Sequence, residues 1–225
     1  MTHPLDNPVF AALTGDQARF AVRQRNSVRY RPDISPFSGL PDRPSAADWA
    51  DAERLAGPGE VVLFVGPAAV PPADWEVLVA REGVQLVAED LAPAADPEAV
   101  PLSSADAAEM VELTERTKPG PFLPGTVELG GYLGLRREGR LVAMAGERMR
   151  PPGFAEISAV CTDEAWRGHG FAARLTRAVA VGIAARGETP FLHAAAANVN
   201  AIRLYKALGF VHRRDVTFIA ARPPR

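Results

Sequence analysis

Glu156-Ile-Ser-Ala-Val-Cys-Thr-Asp-Glu-Ala-Trp-Arg-Gly-His-Gly-Phe-Ala172 is the stretch on which the fold of this chain turns. The apolar, partly β-branched run up to Thr162 reads as a strand. Gly168 and Gly170 then place a turn directly ahead of a helix. Such a turn leaves backbone N–H groups unpaired at the positive end of a helix dipole, where an anion, phosphate above all, binds well. Many phosphate sites share that pattern, so the flanking chain decides what it means.

Downstream, Phe171, Leu175, Val179 and Ile183 recur every four residues, as on the buried face of a helix. Thr189 to Ala196 reads as a strand, Asn198 to Leu208 as a helix closed by Gly209, and Phe210 to Ala220 as a last strand. Upstream, Gly153 to Thr162 is a strand. Gly131 to Arg137 and Arg140 to Met149 flank the hairpin signal Glu138-Gly139. A helix from Ser104 to Thr117 puts Ala107, Met110, Val111 and Thr114 on one side, and Pro119-Gly120-Pro121 stops it. The order is α, β, β, β, α, β, α, β.

The first hundred residues are punctuated by proline. Ala18 to Tyr30 predicts one half-buried strand through Phe20, Val22, Val28 and Tyr30. Ser45 with Asp48 resembles a capping box for a helix carrying Trp49, Ala52 and Leu55. Glu60 to Gly66 predicts a buried strand. Trp75 to Glu89 fits either two strands joined near Glu82-Gly83 or a helix followed by a strand. Asp90 to Ser103, with three prolines and no period, reads as a connection. The expected division is an accessory lobe over 1–95 and a second domain over 96–225.

Composition narrows the function classes. The chain has 225 residues, 47% apolar and 23% charged, which is globular composition with enough length for a proper core. A net charge of -2 gives no electrostatic case for nucleic acid as a partner. The single cysteine, Cys161, excludes an internal disulfide framework and suits a reducing compartment. No apolar run approaches the roughly 20 residues that span a bilayer. The opening residues lack the basic and apolar regions of a secretory signal, so a cytoplasmic protein without membrane contact is expected.

The element order, with Arg167-Gly168-His169-Gly170-Phe171-Ala172 at the strand-to-helix turn, resembles the GNAT superfamily of acyl-CoA-dependent N-acyltransferases. Arg167, Gly170 and Ala172 match its Arg/Gln-x-x-Gly-x-Gly/Ala signature. Asn198 to Phe210 is similar to the family's closing Asn-x-x-Ala-x-x-x-Tyr-x-x-x-Gly-Phe segment, and the two motifs stand in the family's order. The resemblance covers about Ser104 to Ala220. The first half resembles the extra N-terminal lobe of some larger members, and could be a degenerate copy of the same fold. The implied class is α/β, a GNAT-like mixed twisted sheet flanked by helices, with a smaller α/β N-terminal lobe.

The resemblance implies an acetyltransferase with acetyl-CoA as acyl donor and an amine, in a small molecule or a peptide, as acceptor. Arg167, Gly168, His169, Gly170, Phe171 and Ala172 would cradle the pyrophosphate, and the glycines let it approach the backbone. The pantetheine arm would run along Val160, Cys161 and Thr162 as an added strand does. An amide of Val160 or Cys161 would stabilise charge growing on the thioester oxygen. By resemblance, Tyr205 protonates the departing thiolate, and Asn198, two helical turns away, holds the pantetheine or its loop.

Glu156 is the candidate general base, directly or through a water; Glu147 and His193 compete, and bulk water could serve instead. Cys161 on an apolar strand reads as a small core residue or a cofactor-facing neighbour rather than a nucleophile. The four histidines lack ligand spacing, so no metal is expected. Two alternatives stand beside this reading: an acyl-CoA-binding sensor without turnover, and an acyltransferase using another acyl-CoA.

Overall fold

A computed structural model describes residues 3–66 and 70–224. After a 3-10 turn at Pro4–Asp6, the N-terminal segment forms α1 (Pro8–Thr14), followed by strands β1 (Ala21–Gln24), β2 (Ser27–Tyr30) and β3 (Ser38–Gly39), which form a small antiparallel sheet. The one strand expected over 18–30 is therefore a hairpin, turning where Arg25 takes a left-handed φ of 48°. Helix α2 (Ala46–Ala56) begins at the expected capping box, with Ser45 and Asp48 bonding reciprocally.

Strand β4 (Val62–Val65) follows, then β5 (Glu76–Ala88), one continuous strand of 13 residues. Gly83 marks neither a turn nor a break there. A Cβ at Gly83 would lie 2.6 Å from the ring of Phe218, so the glycine permits close packing inside a strand.

The second half runs β6 (Val100–Pro101), α3 (Ala107–Thr117), β7 (Leu133–Arg137), β8 (Arg140–Glu147), β9 (Phe154–Thr162), α4 (Phe171–Ala185), β10 (Thr189–Ala195), α5 (Val199–Ala207) and β11 (Phe210–Arg222). A single mixed sheet of eight strands takes the order β4-β11-β5-β10-β9-β8-β7-β6, with β9 and β10 parallel. Residues 1–95 thus do more than sit beside this sheet. They supply β4 and β5, and β5 lies between β10 and β11.

Alternation along the strands separates two cores. Ala155, Ile157, Leu192 and Ala194 pack against Leu175, Val179 and Ile183 of α4. On the opposite face Phe191, Met149 and Val216 meet Leu5, Leu13, Tyr30 and Phe37 of the N-terminal segment. Each such fully buried side chain stabilises the fold by about 1.5–3 kcal/mol. Beside that face, α3 covers Met144, Cys161 and Tyr132 with Met110 and Leu113.

Candidate functional site

Strands β9 and β10 pair only at Phe154–Thr189, Ala155–Pro190 and Glu156–Phe191. Beyond Glu156 and Phe191 the parallel ladder ends. A bulge accompanies the separation: Met144 faces Cys161 and Gly146 faces Ser158, so Ala159 and Val160 both stand opposite Ala145. Ala159 holds a left-handed φ of 51°, a conformation that costs an alanine about 1–2 kcal/mol. The bulge turns β9 away from its parallel neighbour. It leaves the edge of 157–162 without a strand partner on the β10 side, which is where an extended polar ligand can bond the backbone.

That edge leads into the glycine turn. Asp163 caps a short 3-10 turn over Glu164–Trp166, and the chain then passes Gly168 (φ 84°) and Gly170 (φ 74°) into α4. Among the described residues, no backbone acceptor meets the N–H groups of 168 to 173, and the first helical bond is donated by Arg174 N to Gly170 O. A Cβ at Gly168 or Gly170 would meet nothing within 4 Å, so the space over the turn is open. The rings of Trp166, His169 and Phe171, from the turn itself, pack on one another, and Arg137 lies 4.9 Å from the Phe171 ring. His169 Nδ1 lies 3.1 Å from two carbonyl oxygens, those of Trp166 and Arg167, which places its proton on that nitrogen. Free amides over open space at a helix start fit a diphosphate.

Asn198 caps α5, its Oδ1 accepting from Ala201 N at 3.2 Å. Its role is first structural, with the side-chain NH2 left available. Tyr205 is 8% exposed and its ring packs edge-on to Phe210. Its hydroxyl bonds no described residue; burial, reinforced by nearby Cys161, pushes its pKa up to about 12. Burial likewise pushes the Cys161 thiol up to about 11, so it stays neutral at working pH and is no nucleophile. Thr162 Oγ1 is buried without a partner among the described residues.

Glu156 occupies a different environment. It is fully buried, and Arg148 donates to it twice, Nε to Oε2 at 2.8 Å and Nη2 to Oε1 at 2.6 Å. Met149 N donates to Oε2 at 3.3 Å, and His193 Nδ1 lies 2.7 Å from Oε1. Burial alone would favour the protonated acid, but the charge and hydrogen bonds of Arg148, with His193, hold its pKa down at about 2. Both oxygens are occupied and the proton affinity is low, so an incoming amine finds no free lone pair there.

The network continues across the sheet. Gln85 Nε2 donates to Leu5 O at 2.9 Å and lies 3.1 Å from His193 Nε2, while its Oε1 accepts from Arg213 at 2.8 Å. Arg213 in turn bonds Asp6. Because Arg213 fixes the amide orientation, the Gln85 NH2 faces His193 Nε2, which must then accept. The Nδ1–H of His193 then points at Glu156 Oε1. Glu147, the other candidate base, is buried and paired with Arg186 at 2.5 Å. Burial raises its proton affinity, and Arg186 works against this.

Sequence reasoning passes over Arg148, Gln85 and Tyr132. One signal was present for Arg148: it and Glu156 flank Pro151-Pro152-Gly153, and a hairpin there brings them side by side. Gln85 and His193 lie 108 positions apart, with no local signal. A cleft of about 350 Å³ lined by Phe10, Thr14, Asp42 and Pro152, among others, contains none of the candidate residues. Among the described residues, no group of three or more His, Cys, Asp or Glu side chains is arranged to hold a metal ion. Among the same residues, no helix is long and apolar enough to cross a membrane.

The family model of FR47-like proteins matches residues 132–219. A crystal structure of a GNAT-family protein from Novosphingobium aromaticivorans is 41% identical, with each chain covered in full and a TM-score of 0.91. A GCN5-related N-acetyltransferase from Kribbella flavida is similar in fold alone, at 16% identity, 96% of each chain and a TM-score of 0.58. So is a GNAT-family acetyltransferase from Colwellia psychrerythraea, at 11% identity, 98% of this chain, 97% of that one and a TM-score of 0.55. No functionally curated protein shows a significant sequence match to the chain.

Proposed function

The chain belongs to the GNAT family, and from that premise we propose that it transfers an acetyl group from acetyl-CoA to an amine by direct attack within a ternary complex. The observation that carries this reading is the parting of β9 and β10 beyond Glu156–Phe191, with an open glycine turn at one end of the free edge. Amides of 168–172 would hold the pyrophosphate, and the 160–162 edge would bond the pantetheine amides. An amide of Val160 or Cys161 would meet the thioester oxygen. Positioning a neutral amine against the carbonyl supplies much of the acceleration. The thiol state of Cys161 suits a reducing, cytoplasmic setting.

Tyr205 is the group we assign to the leaving sulfur. With its pKa at about 12, full proton transfer to a thiolate of ordinary pKa, about 8.5, is uphill. The phenol therefore hydrogen-bonds the sulfur, and the ammonium formed by attack is the eventual source of the proton. Tyr205→Phe is expected to lower kcat about 100-fold while leaving acetyl-CoA affinity and melting temperature unchanged. An unchanged kcat would remove Tyr205 from the mechanism.

Glu156, locked by four donors, is assigned to holding Arg148 and His193 rather than to taking a proton; the ammonium proton reaches the departing sulfur through solvent instead. The N-terminal segment, covering that face of the sheet, would shape the acceptor side for a small-molecule or peptide amine.

The lack of a free carboxylate base also favours a second reading, an acyl-CoA-binding sensor without turnover. Thiol release from acetyl-CoA across a panel of alkyl, aryl and polyamines and peptides with free N-termini separates the two. Amine-dependent release supports the enzyme; a rise in melting temperature with acetyl-CoA and no release from any amine supports the sensor. Parallel melts with propionyl- and succinyl-CoA rank the donors, since a ligand at 100 times its Kd stabilises by about 2.7 kcal/mol.

A further inference from the structure

The Tyr132 phenol is buried and makes no hydrogen bond to any described residue. Tyr132 stands just before β7 and is 3% exposed. Its ring lies over Gly146 of β8, where any Cβ would overlap ring atoms. Gly146 is paired with Ser158, the residue preceding the β9 bulge at Ala159. The ring therefore reaches across β8 towards β9, in the same cluster as Cys161 and Ala159, on the face opposite α4. Phe122 packs edge-on against it at 5.7 Å and helps to exclude water.

Buried hydroxyls without a partner are rare, because each destabilises the fold that contains it. Here two of them, Tyr132 and Thr162, border the same short stretch of β9 whose other edge is free. Burial strengthens the hold of Tyr132 on its proton, the charge of Arg148 opposes this, and Glu156 and Cys161 add to it. The phenol is thus protonated at working pH and has a hydrogen bond to give.

We propose that Tyr132 is a catalytic residue, donating its O–H to the acyl oxygen of the bound thioester from the α3 face of β9. The inference rests on the acyl-transfer reading above. The backbone amide of Val160 or Cys161 and the Tyr132 phenol would then approach one oxygen from two sides. A donor fixed in a water-excluded position stabilises charge developing there far more than one in water.

Tyr132→Phe keeps the ring over Gly146 and removes only the hydroxyl. The probe is acetyl-CoA carrying a 13C-labelled acetyl carbonyl, read by infrared difference spectroscopy on the bound complex. The expected result is a carbonyl band at lower frequency on the wild-type protein than on the variant, because only the former donates to that oxygen. Alongside it, kcat with any amine that supports thiol release should fall about 100-fold. The Kd for CoA should be unchanged. The free variant should melt about 2–4 °C higher, since an unsatisfied polar atom has been removed.

A tyrosine that merely packs would give the rise in melting temperature but no band shift. Identical bands on both proteins, with acetyl-CoA bound to each, would overturn the role of Tyr132 and leave the acyl-transfer reading intact. Failure of acetyl-CoA to bind the wild type would overturn both.

Discussion

Glu156→Gln is expected to lower the melting temperature by roughly 10 °C, more than any other single change at the site. The substitution leaves the Arg148 guanidinium, with only 10% of its side chain exposed, without a counter-charge. Breaking a buried pair in this way costs about 3–5 kcal/mol, and in a chain of this length each kcal/mol lowers Tm by about 2–4 °C. It also disturbs His193, because a glutamine cannot accept from Arg148 and His193 through both of its terminal atoms.

The same ion pair gives a pH signature with a definite sign. The folded carboxylate has a pKa of about 2, against an ordinary value of 4.5. A depressed pKa contributes stability that is present above the unfolded value and is lost as pH falls towards the folded one. Wild-type protein should therefore lose on the order of 3 kcal/mol from this group between about pH 5 and pH 2. The Gln variant lacks that component, so melting curves of the two proteins should converge on acidification. A gap that stays constant down to pH 2.5 would show that Glu156 is not held as an anion by Arg148. Were Glu156 instead the general base, the Gln variant would melt normally and lose turnover alone.

Gly170→Asp is expected to abolish acetyl-CoA binding, with at least a 100-fold rise in Kd, while the protein still folds. The new carboxylate would stand in the open space over 168–172, displacing and repelling a diphosphate. Left-handed backbone at φ 74° is tolerated by aspartate better than by most residues, at a cost of about 1 kcal/mol. Isothermal titration with acetyl-CoA and CoA, beside a thermal melt, separates the two effects. A folded variant with wild-type affinity would move the pyrophosphate site elsewhere.

Much of this site was legible from residue order because its chemistry is local. A glycine turn ahead of an apolar-periodic helix is specified within Arg167 to Ile183, and it presents amides wherever the helix is placed. The capping box at Ser45 and Asp48 and the hairpin at Glu138-Gly139 formed as their signals indicate. The long strand β5 did not, because Gly83 looks like a turn residue until the Phe218 ring that needs its missing side chain is known.

Glu156 marks the limit. Its position on a strand was readable from sequence, but its proton affinity is set by what surrounds it. Those neighbours come from Arg148 across a hairpin, His193 on the parallel strand, and Gln85 from the first half of the chain. Tyr132, too, is singled out only by tertiary structure, which buries its hydroxyl without a partner among the described residues. By itself the sequence determined the element order from Ser104 to Ala220, the family resemblance and the glycine turn ahead of α4, all of which depend on spacing along the backbone. The insertion of β5 between β10 and β11, the parting of β9 from β10 and the protonation state of every buried group were decided only by tertiary structure. Strand partners and electric fields belong to residues near in space, whatever their separation along the chain.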